Sequence, residues 1–340
     1  ESRGLGDVYK RQDPEWPLKA AQEREDEINR CISCTFCFET LVSDTIAGKG
    51  PVKCAVNPRA GRECKYPAHE KDGAGRTVVV VGAGVGGLEA ARVLGERGFH
   101  VVVLEKEGRA GGQINIADRP PHKEKMDWIV EYELSQLKKY DVQILINTEA
   151  DAGRIASYAP YAIVLATGGT PIKPSSIPGS DLEEAVTFKE VLCDEKVLEG
   201  RKVTVIGSGA TGLETAEFLC ARGNEVTIVE MLDSIGQGVY VQHYLDAMDK
   251  LSKYDITYKP KTRLAEIKKD AAVLEHLEDG TFEEYPSDYV VLAMGVRSVN
   301  PLEQACKEIC DKVIVAGDAK QVGRIEGAVR SGFEAAYTLQ

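Results

Sequence analysis

Two stretches of the chain carry the same succession of apolar and polar positions. Residues 77–81 (TVVVV) and 202–206 (KVTVI) are short β-branched runs, each ending at a glycine. Runs of that composition and length predict buried strands. Each leads into a glycine-rich apolar helix pattern, a second apolar run and a glutamate. Residues 82–105 read GAGVGGLEAARVLGERGFHVVVLE and residues 207–230 read GSGATGLETAEFLCARGNEVTIVE, with 11 of 24 aligned positions identical. Elsewhere the pattern predicts a charged helix over 18–30, a helix near 123–139, a strand at 142–146 and a buried run at 161–171. Prolines 171, 174 and 178 with Gly179 mark a crossover. A strand through 289–295, a loop near 299–310, an apolar run at 312–318 and a C-terminal helix complete the chain. Strands alternating with helices around two glycine fingerprints predict an α/β fold with two dinucleotide-binding, Rossmann-like domains.

The residue types in each fingerprint have separate physical duties. Gly82 and Gly207 permit the tight turn off the strand, Gly84 and Gly209 let the backbone approach a pyrophosphate, and Gly87 and Gly212 let helix pack on strand. The pyrophosphate would sit on unpaired N–H groups at the positive end of the helix. Glu105 and Glu230, at the same distance from their first glycines, suit the adenosine ribose hydroxyls. A single such turn is common in parallel α/β proteins; two with matched acids point to two dinucleotide sites. Glu230 would repel a 2′-phosphate, which favours NADH at the second.

Composition narrows the function classes. With 42 basic and 54 acidic residues the net charge is −12, and no basic block or aromatic-interleaved basic stripe appears. A nucleic-acid surface is therefore not expected. No stretch reads as a membrane span, because the glycine-rich helices carry Glu89, Arg92, Glu214 and Glu217. No secretory signal is seen, and nine cysteines, an odd number, argue for the cytoplasm and a reducing milieu. Residues 1–12, ESRGLGDVYKRQ, fit nothing downstream and read as a non-native leader on an N-terminally truncated chain. No HExxH, GxSxG or Walker loop is found, and no catalytic side chain is assigned.

Four cysteines crowd into residues 31–54: Cys31, Cys34, Cys37 and Cys54. Zinc prefers two paired CxxC motifs, whereas CxxCxxC with one distant cysteine better matches a 4Fe-4S cluster. The cluster is preferred on ligand pattern.

The order of motifs over about residues 77–340 resembles the flavoprotein reductases in which an NAD(P)H domain is inserted into an FAD domain. It rests on the first fingerprint with Glu105, GGQ at Gly111–Gln113, ATGG at 166–169, the second fingerprint with Glu230, and Ala316-Gly317-Asp318. The resemblance implies that FAD takes the first fingerprint together with Gly112, Gln113, Thr167, Gly168, Gly317 and Asp318. It implies that NADH takes the second, with Glu217 beside it. CISCTFC, CAVNPRAGRE and the preceding PLKAAQEREDEINRC resemble the NADH:flavin oxidoreductase family that includes 2,4-dienoyl-CoA reductase and 2-enoate reductase. That family has an FMN-containing TIM barrel ahead of the cluster, which is missing from this sequence, and its usual cluster spacing is CxxCxxxC with a shorter gap to the fourth ligand; against that spacing Cys37 is the ligand that departs, with Cys64 in reserve. The implied domains are residues 13–72 for the linker helix and cluster, 73–175 and 299–340 for FAD, and 176–298 for NADH.

The implied function is the electron-input half of an iron–sulfur flavoenzyme. NADH would reduce FAD, and single electrons would pass through the cluster to FMN, which reduces the activated C=C bond of an enoate or dienoyl-CoA. Two other readings stand beside it: a non-catalytic ADP-binding module as in trimethylamine dehydrogenase, and a subunit resembling the glutamate-synthase small chain. NADH and a small-molecule substrate are the expected partners, and a homo-oligomer is compatible with the sequence.

Overall fold

A computed structural model describes residues 11–68 and 70–340. The expected leader therefore lies outside the described residues except at Arg11 and Gln12. The chain divides into two units. The first runs to Asn115 and resumes at Glu124–Gly169 and Ser298–Gln340; the second comprises Ile116–Lys123 and Thr170–Arg297.

In the first unit five parallel strands lie in the order Val313–Val315, Ala162–Leu165, Thr77–Val81, His100–Leu104, Gln143–Leu145. In the second the order is Ala185–Thr187, Tyr289–Leu292, Lys202–Ile206, Glu225–Val229, Ile256–Lys259, again all parallel. Each fingerprint strand sits at the centre of its sheet, next to the strand that ends in the acid. The uninterrupted β-branched runs follow from covering both faces of a parallel sheet. Successive side chains point to opposite faces. Val78, Val80, Val101 and Val103 join one core cluster, and Val79, Val81, Val102 and Leu104 join another. Burying each valine contributes about 1.5–3 kcal/mol. The second unit adds an antiparallel meander of Thr262–Lys268, Ala271–His276 and Phe282–Pro286.

The first fingerprint helix, Val85–Glu96, is crossed by the C-terminal helix, Ile325–Tyr337. They meet on glycines: a Cβ at Gly332 would lie 1.9 Å from the Gly86 carbonyl oxygen. Arg97, buried just past the fingerprint helix, donates to the Ala336 and Leu339 carbonyls and pairs with Asp72. One guanidinium thus ties the turn after the fingerprint helix to the helix Ile325–Tyr337.

Two local expectations are corrected. The continuous charged helix over 18–30 is instead a helix at Trp16–Ala21 and a 3-10 turn at Glu25–Glu27. Glu23 between them has φ +55°, and Lys19 is buried against Asp13 at 2.7 Å. A charge inside the first turn, rather than helix propensity, organises that segment. The expected loop near 299–310 holds a helix, Glu303–Ile309, whose Cys306 is fully buried. Among the described residues no helix is long and apolar enough to cross a membrane.

Candidate functional site

The two fingerprints fold to turns with matching backbone geometry. Gly82 and Gly207 have φ of +100° and +101°. Their N–H groups donate to the Leu104 and Val229 carbonyls at 2.8 and 2.9 Å. A Cβ would stand 2.4 Å from the Ala166 oxygen at Gly82 and 2.6 Å from the Ala293 oxygen at Gly207. At Gly87 and Gly212 it would lie 2.0 Å from the carbonyl oxygens of Gly82 and Gly207. Gly84 and Gly209, which cap the helices Val85–Glu96 and Ala210–Cys220, behave oppositely. Nothing lies within 4 Å of a Cβ at either. Four glycines are demanded by packing and two by open space at a helix N-terminus, where a ligand's phosphates fit.

Each acid folds back on its own turn. Glu105 is buried and accepts from the N–H groups of Ala83 at 2.6 Å and Glu107 at 2.8 Å. Glu230 is half-buried and accepts from the Ser208 N–H at 2.9 Å, the Ser208 hydroxyl at 2.7 Å and the Leu232 N–H at 3.0 Å. Burial opposes ionisation of Glu230, but the Ser208 hydroxyl and surrounding backbone N–H groups outweigh it and hold its pKa below the usual range.

Around the first turn the structure gathers residues far apart in sequence. Gly111 forms a parallel bridge with Gly84, its N–H donating to the Ala83 carbonyl at 2.8 Å. Gly112, at φ +55°, leaves no room for a Cβ beside the Gly84 Cα, 2.9 Å away. Gln113 Nε2 donates to Asp318 Oδ2 at 2.6 Å, and Asp318 Oδ1 accepts from the Gly323 N–H at 3.1 Å. Burial pushes the Asp318 carboxyl above its ordinary pKa, and those two donors pull it back. Thr167 donates its hydroxyl to the Val299 carbonyl, and Gly168, at φ +73°, has open space where a Cβ would be. The Gly317 N–H donates to the Ser331 hydroxyl at 3.0 Å. All of these belong to the first unit, together with Gly82, Gly84, Gly87 and Glu105.

Glu217 lies buried in the second fingerprint helix, 4.0 Å from Lys250 Nζ. Burial raises its pKa, opposed by Lys250 and His122. The four cysteines of the thiol segment are close enough to act on one another. Burial pushes the Cys34 thiol up to about 11, and Cys31 and Cys37 add to it. Burial likewise pushes Cys54 up to about 12, with Cys34 and Cys31 contributing. Cys34 and Cys54 pack against the first unit's core, while Cys31 is exposed and Cys37 half-buried; Cys64 is exposed. An all-sulfur donor set backed by an apolar core suits a soft, thiolate-ligated centre, whose positive charge would deprotonate the buried thiols. Among the described residues no three His, Cys, Asp or Glu side chains converge on a single-ion site.

Ser208 and the buried group of Glu89, Arg92 and Glu133 are absent from the sequence-based assignments. Comparing the fingerprints position by position, with Ala83 opposite Ser208 and Arg92 opposite Glu217, exposes the signal for two of them.

Residues 76–323 match the family model described as pyridine nucleotide-disulphide oxidoreductase. The chain is 35% identical over 332 residues to the NADH oxidase of Thermoanaerobacter brockii, covering 96% of this chain and 50% of that protein. It is 32% identical to the bilirubin reductase of Mediterraneibacter gnavus, covering 96% of this chain and 50% of that protein. Among solved structures, a 2-naphthoyl-CoA reductase in complex with 2-naphthoyl-CoA superposes with a TM-score of 0.90 at 28% identity, covering 98% of this chain and 50% of that one. The chain thus spans about half the length of the curated relatives it matches.

Proposed function

The chain belongs to the pyridine nucleotide-disulphide oxidoreductase family, of the FAD- and NAD(H)-binding kind, and on that premise we propose that it is the electron-input half of an iron–sulfur flavoenzyme. FAD takes the first fingerprint and NADH the second, and Cys31, Cys34, Cys37 and Cys54 hold a 4Fe-4S cluster. Bound, these groups supply hydride and single-electron chemistry that side chains cannot. The observation that carries the reading is the doubled cradle: of the three motif glycines in each turn, Gly84 and Gly209 are the ones with open space, each at a helix N-terminus and each backed by an acid.

The chain's own residues bind and orient. N–H groups at the starts of the two fingerprint helices take the pyrophosphates, and Glu105 and Glu230 take ribose hydroxyls. Gly112 closes over Gly84, and the Gln113–Asp318 pair, Thr167, Gly168 and Gly317 surround the FAD arm. These flank only the first turn, which supports giving that turn to FAD. Glu217 belongs to the NADH side, where burial raises its pKa and Lys250 opposes the rise. Hydride transfer rests on alignment, so no catalytic acid or base is required of this chain. An FMN barrel outside these residues would take up the electrons and supply reduction of the activated C=C bond of an enoate or dienoyl-CoA; the likeness to a naphthoyl-CoA reductase supports a CoA-ester substrate. Nine free thiols support a reducing compartment, the cytoplasm.

Anaerobic purification followed by nucleotide extraction, iron and sulfide assay and NADH-dependent dye reduction tests this. Stoichiometric FAD, cluster iron and dye reduction are expected. A flavin- and cluster-loaded sample inert toward NADH would overturn the reading, and a colourless protein yielding ADP would favour the non-catalytic module.

A further inference from the structure

The fingerprints part at the residue after their first glycine, Ala83 in one and Ser208 in the other. Ser208 is 1% exposed. Its hydroxyl donates to Glu230 Oε2 at 2.7 Å and accepts from the Gly236 N–H at 2.9 Å. Its own N–H donates to the same carboxylate oxygen at 2.9 Å. A hydroxyl has one hydrogen to give, and here it goes to the acid while a lone pair holds the loop beyond Val229. Gly236 is itself pinned, at φ +75° with a Cβ position 2.4 Å from the Tyr244 ring. The loop it anchors carries Met231, Leu232 and Asp233, directly after the acid. Glu105 has no such side-chain donor, since alanine stands opposite Ser208.

We infer that Ser208 is a specificity-determining positioning residue for the second dinucleotide. Its hydroxyl fixes Glu230 as an oriented carboxylate and fastens the following loop to it, so that the pair accepts the ribose hydroxyls of NADH and repels the 2′-phosphate of NADPH. The inference rests on reading the second fingerprint as the NADH site. A hydrogen bond to a carboxylate is about twice as strong as one between neutral groups, and without the hydroxyl Glu230 keeps only its backbone N–H donors. Orientation, not charge alone, is what Ser208 adds.

The test uses the full chain, titrated with NADH and with NADPH by fluorescence, with retained FAD as the check on folding. Ser208→Ala should fold, because Ala83 occupies the matching place on a turn of the same geometry. It should weaken NADH about tenfold and NADPH less than about threefold, narrowing the preference. In a Glu230→Gln background, which removes the charge but leaves Ser208, the same change should move the NADH/NADPH ratio by less than about twofold. Equal weakening of both dinucleotides, no weakening of either, or an undiminished effect in the Glu230→Gln background would overturn the role of Ser208 while leaving the NADH site standing. A wild-type chain that bound neither dinucleotide, or preferred NADPH, would overturn the site assignment and the inference together.

Discussion

The two fingerprints share the φ of their first glycines and the backbone bonds of their turns, yet what surrounds them differs. The first helix is covered. At Gly86 it meets the C-terminal helix, and the matching position of the second helix, Thr211, is exposed. On another face of the first helix, Arg92 donates to both carboxylate oxygens of the buried Glu89 at 2.7 Å and to Glu96 at 3.1 Å. It lies 3.8 Å from the buried Glu133 of the helix Trp128–Lys139. Burial and the neighbouring Glu89 push the Glu133 carboxyl well above its ordinary pKa, and Arg92 pulls it back. In the second helix the place of Arg92 is taken by Glu217, and the place of Glu89 by Glu214, which reaches out to Lys123 at 2.7 Å. At these matched positions one copy meets a helix and a buried charge group, and the other carries the exposed Thr211 and the half-buried Glu214. What they have in common is the glycine turn proposed as a ligand cradle, and their differences lie in what holds that turn in place.

Removing the guanidinium should break that comparison most strongly. Arg92→Met leaves the buried Glu89 and Glu133 without a cation, and losing one partner of a buried charge group costs about 3–5 kcal/mol. Urea unfolding should show this loss in the first unit, and a cost near that of a surface pair would mean the carboxyls relax by protonation. The cradles themselves are tested by Gly84→Val and Gly209→Val. Both sites have extended, negative φ and open space, so the fold should tolerate the change. Gly84→Val should lose FAD, while Gly209→Val should keep FAD and weaken NADH by about a hundredfold, roughly 2.7 kcal/mol. If both variants lost the same cofactor, the assignment of copies would fail. Smaller again is Gly332→Ala, which drives a Cβ into the Gly86 carbonyl. Overpacking of this kind costs about 1–3 kcal/mol, and differential scanning should show FAD released earlier while NADH affinity holds.

The glycines and acids of both cradles were legible because a strand, a turn and a helix are one local pattern, and each glycine answers a local demand. Gln113 and Asp318 lie 205 residues apart, and only resemblance linked them; no periodicity joins a loop to a late turn. The charges were misleading in a different way. Glu89, Arg92 and Glu217 marked the helices as too polar for a membrane, yet Glu89 and Glu217 are buried. A charged residue in an apolar helix pattern looks solvated until its partner, here 41 residues away for Arg92 and Glu133, is brought alongside. The helix at Glu303–Ile309 was hidden because its seven residues show too few apolar positions for a helical stripe.

The smallest expected effect falls at the same helical position as the largest. Glu217→Gln keeps the shape of a side chain whose neutral form burial already favours, with Lys250 and His122 pulling the other way. Because the folded-state pKa is raised, the native chain binds this proton more tightly than the unfolded one. The stability it contributes is full below the unfolded pKa and is lost as pH rises through the folded value. Glutamine removes that loss, so the variant should gain on wild type between pH 5 and pH 8, by less than about 1 kcal/mol. Urea titrations at the two pH values read the difference, and NADH affinity should fall only a few-fold. A variant that lost stability as pH rose, relative to wild type, would mean the Lys250 contact dominates and Glu217 is held ionised. The two fingerprint helices would then share a buried ion pair after all, and the contrast between them would reduce to the covering helix alone.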